Sequence, residues 1–154
     1  MNARYRTTRR ALLATATTAA LAAVAVRVRA QANAAPIAQP RDATPAAFAT
    51  RAAEMRRLAI ERGDQAYGAV VVRDGKIVGE GVSAVVTDRD PTAHAEMQAI
   101  RDAARRLGTN DLSGCVLYGT SRACPMCEAA AYWARIDRLR HGDDAADDGP
   151  PRLP

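Results

Sequence analysis

Two short motifs, T-A-H-A-E at residues 92–96 and C-P-M-C at residues 124–127, constrain the fold of this 154-residue chain more than any other feature. Each motif opens a predicted helix, and 30 residues separate His94 from Cys124. Histidine and cysteine side chains are nitrogen and sulfur ligands for metal ions, and Cys127 adds a third candidate. We therefore expect the fold to bring two helix N-termini together around one metal site.

Hydrophobic periodicity predicts that helices and strands alternate around these motifs. Asp74-Gly75, between two β-branched runs, predicts the turn of a β-hairpin. The predicted helices cover 46–62, 92–107 and 125–134, and the predicted strands cover 67–72, 77–86, 115–118 and 138–141. The order α-β-β-α-β-α-β indicates an α/β fold in which helices are layered on a sheet.

Charge is distributed unevenly along the chain, whose formal net charge is +5. Residues 1–34 carry six arginines and no acidic residue, which leaves sixteen basic and seventeen acidic residues in the remainder. The folded domain is therefore close to neutral, and the composition gives no support to a basic nucleic-acid surface. An aromatic content of 4% also excludes an aromatic-rich surface for stacking single strands.

The N-terminal segment has the layout of an export signal. A positively charged region precedes the apolar residues 11–26, and small-x-small cleavage sequences follow within 30–34. The pair Arg9-Arg10 resembles a twin-arginine signal, with an ordinary secretory signal or an uncleaved anchor as the alternatives. We therefore predict export to the periplasm, with no stable membrane anchor after cleavage.

These patterns divide the chain into four parts. Residues 1–34 are the predicted signal peptide, residues 35–45 a proline-containing linker and residues 46–142 a single folded domain. Residues 143–154 are acidic and proline-rich, which predicts a disordered tail. The domain has roughly 100 residues, which is enough for one modest hydrophobic core.

The two motifs together form the expected catalytic site. His94, Cys124 and Cys127 are a suitable set of three ligands for a catalytic zinc, which keeps a fourth position for water. Zinc lowers the pKa of that water, and Glu96 is the candidate carrier of its proton. A disulfide or redox pair is the alternative for the two cysteines, and Cys115 is expected to be an ordinary core residue.

The sequence resembles the cytidine and deoxycytidylate deaminase superfamily, for which H-x-E followed by P-C-x-x-C is a specific signature. The likeness spans about residues 46–142 and is nearest to bacterial guanine deaminases and related nucleoside deaminases. It is carried by G-A-V at 68–70, D-P-T-A-H-A-E at 90–96, C-P-M-C at 124–127 and Y-W-A-R at 132–135.

The resemblance implies a three-layer α/β/α fold with a mixed central sheet that is shortened at the C-terminus. It also implies that residues 46–142 are a zinc-dependent deaminase domain with one zinc per chain. His94, Cys124 and Cys127 would be the zinc ligands, and Glu96 the catalytic residue. A homodimer is the assembly that the resemblance suggests.

Candidates for substrate contacts follow from the same resemblance, with lower specificity. They are Tyr67, Ser83, Ala95 and Asp144. Ser83 stands where relatives usually place an asparagine that binds the base or sugar, and Arg122 stands in place of a glutamate before the first cysteine. Because 27 residues follow Cys127, we expect C-terminal elements that are shorter than those of guanine deaminases. We expect an intact metal site beside an altered substrate pocket.

The resemblance implies a hydrolytic deaminase of a nucleobase or nucleoside, with guanine converted to xanthine and ammonia as the first expectation. A zinc-binding but catalytically impaired domain is one alternative. An exported C-P-x-C thiol–disulfide oxidoreductase is another, because that motif suits an oxidising compartment. The near-neutral domain and the export signal speak against a transfer-RNA deaminase. The expected partner is therefore a small purine or pyrimidine, with no nucleic acid.

Overall fold

The computed structural model describes residues 35–153 of the chain. The predicted export signal at 1–34 lies outside the described residues. Within these residues, three helices and five strands follow one another in the order α-β-β-α-β-α-β-β. They are α1 (Pro45–Glu61), β1 (Gly68–Arg73), β2 (Lys76–Val82), α2 (Ala95–Leu107), β3 (Cys115–Gly119), α3 (Pro125–Trp133), β4 (Arg138–His141) and β5 (Ala146–Gly149). Within 35–153, the helices are all too short or too polar to cross a membrane.

The five strands form one mixed sheet in the order β2-β1-β3-β4-β5. Strand β1 pairs antiparallel with both β2 and β3, whereas β3 and β4 run parallel. The parallel pair requires a crossover, and α3 supplies it. The mixed sheet that was expected from the sequence is confirmed.

The helices cover both faces of the sheet, because successive side chains of β1 point in opposite directions. Ala69 and Val71 belong to a core that includes residues of α2 and α3. Val70 and Val72 belong to a second core with Phe48 of α1. The protein is therefore an α/β/α sandwich, and α2 and α3 share one of its outer layers.

Helix α2 lies unusually close to the sheet, because glycines replace side chains on the strand below it. A Cβ atom on Gly81 of β2 would lie 1.9 Å from the backbone oxygen of Ala95. A Cβ atom on Gly79 would lie 2.6 Å from the backbone of Ala103. The glycines thus set the depth of α2, and with it the height of His94 and Glu96 above the sheet.

The predicted disordered tail at 143–154 is wrong for most of its length. Residues 146–149 form β5, which pairs antiparallel with β4. Asp147 forms ion pairs with Arg138 and Arg140, and Asp148 forms one with His141. The acidic residues that indicated a solvated tail therefore neutralise the basic side chains of β4, and they add an edge strand to the sheet.

The predicted linker at 35–45 forms no regular element before Pro45, but part of it is held against the sheet. The side-chain amide of Gln39 donates to the backbone oxygen of Ile77 and accepts from its N–H, both at 2.8 Å. Ile37 packs against the α1 side of the core. Thr44 then caps α1 by accepting from Ala47 N–H at 3.2 Å.

Candidate metal centre

His94 and Cys124 occupy the same structural position at the start of two different helices. Each is the N-cap residue, with extended backbone angles, of α2 and α3 respectively. Serine or aspartate at an N-cap normally bonds its side chain to the helix backbone, but neither of these side chains does so. Both therefore remain available to a ligand.

The three candidate ligands converge on one point. His94 Nδ1 lies 3.6 Å from the Sγ atom of Cys124 and 3.6 Å from that of Cys127. All the ligand atoms lie within 4.8 Å of one another. A tetrahedral zinc with usual bond lengths separates a nitrogen ligand from a sulfur ligand by about 3.6 Å. The His-Cys-Cys set therefore fits one zinc ion in both chemistry and spacing.

Burial disfavours the free thiolate of Cys127, whereas coordination to a metal ion would favour it. Cys127 is fully buried, and burial together with the nearby Glu96 carboxyl raises the pKa of its thiol far above the usual range. A divalent cation reverses this preference, because a coordinated thiol is deprotonated. All three cysteines of the chain are free thiols in the structure, so a disulfide between Cys124 and Cys127 is not favoured.

Glu96 lies beside the ligand set in the first turn of α2. It is buried, and its Oε2 atom accepts a hydrogen bond from the Cys127 thiol at 3.6 Å. Burial raises the pKa of Glu96 above its ordinary value, and hydrogen bonds only partly offset this effect. A buried carboxyl whose pKa is shifted toward neutrality is suited to accept and return a proton.

The end of β3 makes room for this carboxylate. A Cβ atom on Gly119 would lie 3.3 Å from Glu96 Oε1 and 2.9 Å from the backbone oxygen of Ser121. The following residue, Thr120, is fixed to the start of β1 by two hydrogen bonds with Gly68, at 3.0 and 3.1 Å. The carboxyl end of β3 and the N-termini of α2 and α3 thus meet at the site.

The structure brings His94, Glu96, Cys124 and Cys127 together. The four residues predicted to contact the substrate lie in different parts of the fold. Tyr67 is 45% exposed in the loop before β1, and Ala95 is fully buried in the core beneath α2. Ser83 is buried, and its hydroxyl donates to Asp64 at 2.9 Å. Asp144 is exposed in the turn between β4 and β5. Their roles in substrate binding stay predictions.

Asp64 is a residue that sequence reasoning missed. It accepts hydrogen bonds from Gln65, Ser83, Val86 and Thr87. Most of these donors follow it by about twenty residues, so no local motif marks the contact. The only sequence signal was Ser83, which departs from the family pattern and whose hydroxyl donates to Asp64.

These features are those of a zinc-binding deaminase domain. Residues 43–142 match the cytidine and deoxycytidylate deaminase zinc-binding region. The match covers more than half of the chain, so the chain belongs to this family.

Two of the relatives differ in the substrate that their names state. Over 69 residues the chain is 54% identical to a guanine deaminase of Bacillus subtilis, a match that covers 45% of the chain and 44% of the relative. Over 81 residues it is 44% identical to a tRNA-specific adenosine deaminase of Aquifex aeolicus, covering 53% and 54% of the two. The chain therefore spans about half the length of the curated relatives it matches.

A solved structure shares the fold. The crystal structure of guanine deaminase from Bacillus subtilis superposes with a TM-score of 0.58 at 44% sequence identity, covering 60% of this chain and 59% of that one. The expected α/β fold with a mixed sheet is therefore shown by both the topology and this likeness.

Proposed function

We propose that the protein is a hydrolytic deaminase of a free nucleobase, with guanine as the first substrate and xanthine and ammonia as products. The observation that carries this proposal is the buried Glu96 carboxyl beside a His-Cys-Cys set with zinc spacing. The identity of 54% to a guanine deaminase supports guanine in particular. In the reaction, water adds to the ring carbon that bears the amine, the carbon–nitrogen bond breaks, and ammonia leaves.

Each site residue has a task in this reaction. His94, Cys124 and Cys127 would hold the zinc, which supplies an activated water at neutral pH when bound. Glu96 takes a proton from the attacking water and gives it to a ring nitrogen. It then takes the second proton from the hydroxyl now on the ring carbon and gives it to the leaving amine. Because its pKa is raised by burial, the Glu96 carboxylate takes up these protons more readily than an exposed glutamate would.

A transfer-RNA deaminase is the second candidate, favoured by the 44% identity to a tRNA-specific adenosine deaminase. The charge of the chain supports the nucleobase instead. Residues 35–154 hold sixteen basic and seventeen acidic side chains. Several arginines are also paired, for example Arg51 with Glu80 and Arg140 with Asp147. Binding of a nucleic acid depends on an excess of basic groups facing its phosphates.

Ammonia release from the zinc-loaded protein tests the proposal on guanine, adenosine, cytidine and cytosine, with inosine formation in transfer RNA as a parallel assay. We expect release from guanine that falls at least about 100-fold in Glu96→Gln, because a positioned acid–base group contributes that much or more. Glu128→Gln is the matched control, since Glu128 is the first-turn carboxylate of α3.

The outcomes separate the alternatives. Inosine in transfer RNA without release from guanine would establish the second candidate. Zinc bound at one ion per chain with no release from any substrate would establish a catalytically impaired domain. One zinc per chain that is lost in His94→Ala would exclude the oxidoreductase. Thiol–disulfide exchange that survives His94→Ala, with no ammonia release, would support it.

We also propose that the protein is exported to the periplasm through a twin-arginine signal. The support is the positively charged, apolar and small-residue order of 1–34, which contains Arg9-Arg10. Replacing Arg9-Arg10 by two lysines is expected to retain the protein in the cytoplasm, as measured by cell fractionation. N-terminal sequencing of the exported protein gives the cleavage site. Unchanged export of the lysine variant would contradict the twin-arginine route.

A further inference from the structure

Residues 83–94 connect β2 to α2 and end at the metal ligand His94. The loop is folded back on itself: Ala84 N–H donates to the backbone oxygen of Ala93 at 3.0 Å. Near the C-terminal end of the loop, Asp90 accepts hydrogen bonds from the backbone N–H and the hydroxyl of Thr92, both at 2.7 Å. The position of His94 therefore depends on how this loop is held.

Asp64 lies outside the loop, and both of its carboxylate oxygens accept hydrogen bonds from the first residues of the loop. Oδ1 accepts from the Ser83 hydroxyl at 2.9 Å. Oδ2 accepts from Val86 N–H at 2.9 Å, from Thr87 N–H at 2.8 Å and from the Thr87 hydroxyl at 3.0 Å. Hydrogen bonds to an ionised group are roughly twice as strong as neutral ones. We call Asp64, Ser83, Val86 and Thr87 the Asp64 cluster.

The path from this cluster to the metal ligand is short. Ser83 bonds to Asp64, the next residue, Ala84, bonds to Ala93, and Ala93 directly precedes His94. Ser83 N–H also donates to the backbone oxygen of Tyr67 at 3.2 Å, which ties the loop to the start of β1. Two hydrogen bonds thus separate the Asp64 carboxylate from the backbone of the His94 segment.

We propose that Asp64 is a positioning residue for the metal centre, which through Ser83 and Thr87 fixes the loop that carries His94. Within residues 35–153, the hydrogen bonds of the Asp64 carboxylate come from Gln65, Ser83, Val86 and Thr87 and not from the three candidate metal ligands. The role does not depend on which base or nucleoside the protein deaminates. It also gives Ser83 a task in this chain, because its buried hydroxyl is used to bind Asp64.

Metal retention in the full-length zinc protein tests this role. Competition with a chromophoric chelator is expected to show that Asp64→Ala weakens zinc binding by about tenfold, the low end of the effect seen when groups that orient ligands are removed. Asp88→Ala is the matched control. It removes a carboxylate from the same loop, and within the described residues no side-chain hydrogen bond is recorded for Asp88.

Milder variants keep the proposal testable if Asp64→Ala does not fold. Thr87→Val and Ser83→Ala each remove one hydroxyl bond and should weaken zinc binding by about two- to fivefold, in line with the net value of a single hydrogen bond. Thr87→Ser keeps the hydroxyl and should restore wild-type affinity. In protein loaded with Co²⁺, the visible absorption bands should shift in Thr87→Val and not in Asp88→Ala.

Hydrogen exchange separates positioning from general stability. In the positioning role, amides of 84–94 exchange faster in the variants while β1 and β3 keep their protection. Folded Asp64, Thr87 and Ser83 variants with wild-type zinc affinity and unchanged cobalt bands would overturn the proposal. So would faster exchange across the whole sheet without a preferential change in 84–94.

Discussion

Cys115 and Cys127 are both fully buried cysteines, yet they have different surroundings. Cys115 begins β3 within the apolar core on the α2 side, where burial raises the pKa of its thiol. Cys127 lies within 3.6 Å of His94 Nδ1 and of Glu96 Oε2. The sequence distinguished the two by the C-x-x-C spacing alone, and the contacts of each agree with that distinction.

Replacing each cysteine by alanine should therefore have different effects on the metal. Cys127→Ala is expected to lose the bound zinc and with it any deaminase activity, because two protein ligands no longer complete the site. Cys115→Ala should keep one zinc per chain and lose about 1 kcal/mol of unfolding free energy, the usual cost of a small core deletion.

Metal content by atomic emission spectroscopy and urea denaturation measure these two outcomes. The Cys115→Ala protein serves as the control for loss of a buried sulfur atom. A Cys127→Ala protein that still carries stoichiometric zinc would show that a different group completes the site.

The hydrogen bond of Ser83 to Asp64 could not be predicted from the sequence. The serine at position 83 indicated only a shorter donor than an amide, and therefore an altered substrate pocket. In the fold it lies at the end of β2 and donates to Asp64, nineteen residues earlier in the chain. A long-range pair of this kind leaves no periodicity or motif, so it becomes visible only when the two elements are placed together.

At the scale of elements, hydrophobic periodicity predicted the helices and strands of the sandwich well. The predicted helices at 46–62 and 125–134 correspond to α1 (Pro45–Glu61) and α3 (Pro125–Trp133), each within one residue at either end. The predicted helix at 92–107 ends correctly but begins at Ala95. Thr92 bonds to Asp90 and stays outside the helix, which leaves His94 as its N-cap.

Strand β5 was missed because its stability is tertiary. The sequence A-D-D-G has low strand propensity, and its acidic side chains indicated a solvated tail. Its aspartates meet the basic side chains of β4, including Arg138 and Arg140. Cross-strand pairs of opposite charge stabilise a sheet edge, and inspection of either segment by itself does not indicate them. The α/β layering was predictable from pattern, whereas this edge was not.

At the scale of the whole molecule, carboxylates stabilised as anions are distributed around the fold. Hydrogen bonds from Thr92 lower the pKa of Asp90, those from Ser113 lower that of Asp111, and Gly149 N–H with Arg138 lowers that of Asp147. Partial burial acts to raise the pKa of Asp64, but hydrogen bonds outweigh it and hold that pKa far below its ordinary value. Asp64 shows the largest shift of the four.

The direction of these shifts predicts how stability depends on pH. A carboxyl group whose pKa is lower in the folded protein binds fewer protons there than in the unfolded chain. Its stabilising contribution is complete above the unfolded pKa of about 4 and is lost as the pH falls toward the folded value. The pKa of Glu96 is raised in the folded protein, so its effect on stability has the opposite pH dependence. The stability that Glu96 contributes is lost as the pH rises through its raised pKa.

Asp64→Asn tests the largest of these contributions. An amide does not titrate, so the difference in Tm between wild type and Asp64→Asn should be largest near about pH 6 and should narrow as the pH falls to about 3. Because Asp64→Asn is also expected to bind zinc more weakly, the comparison is made with both proteins free of zinc. Asp88→Asn, which changes an exposed carboxyl group in the adjoining loop, is the control and should change Tm little. A constant gap between wild type and Asp64→Asn would mean that the Asp64 carboxylate does not gain its stability as an anion in the folded protein.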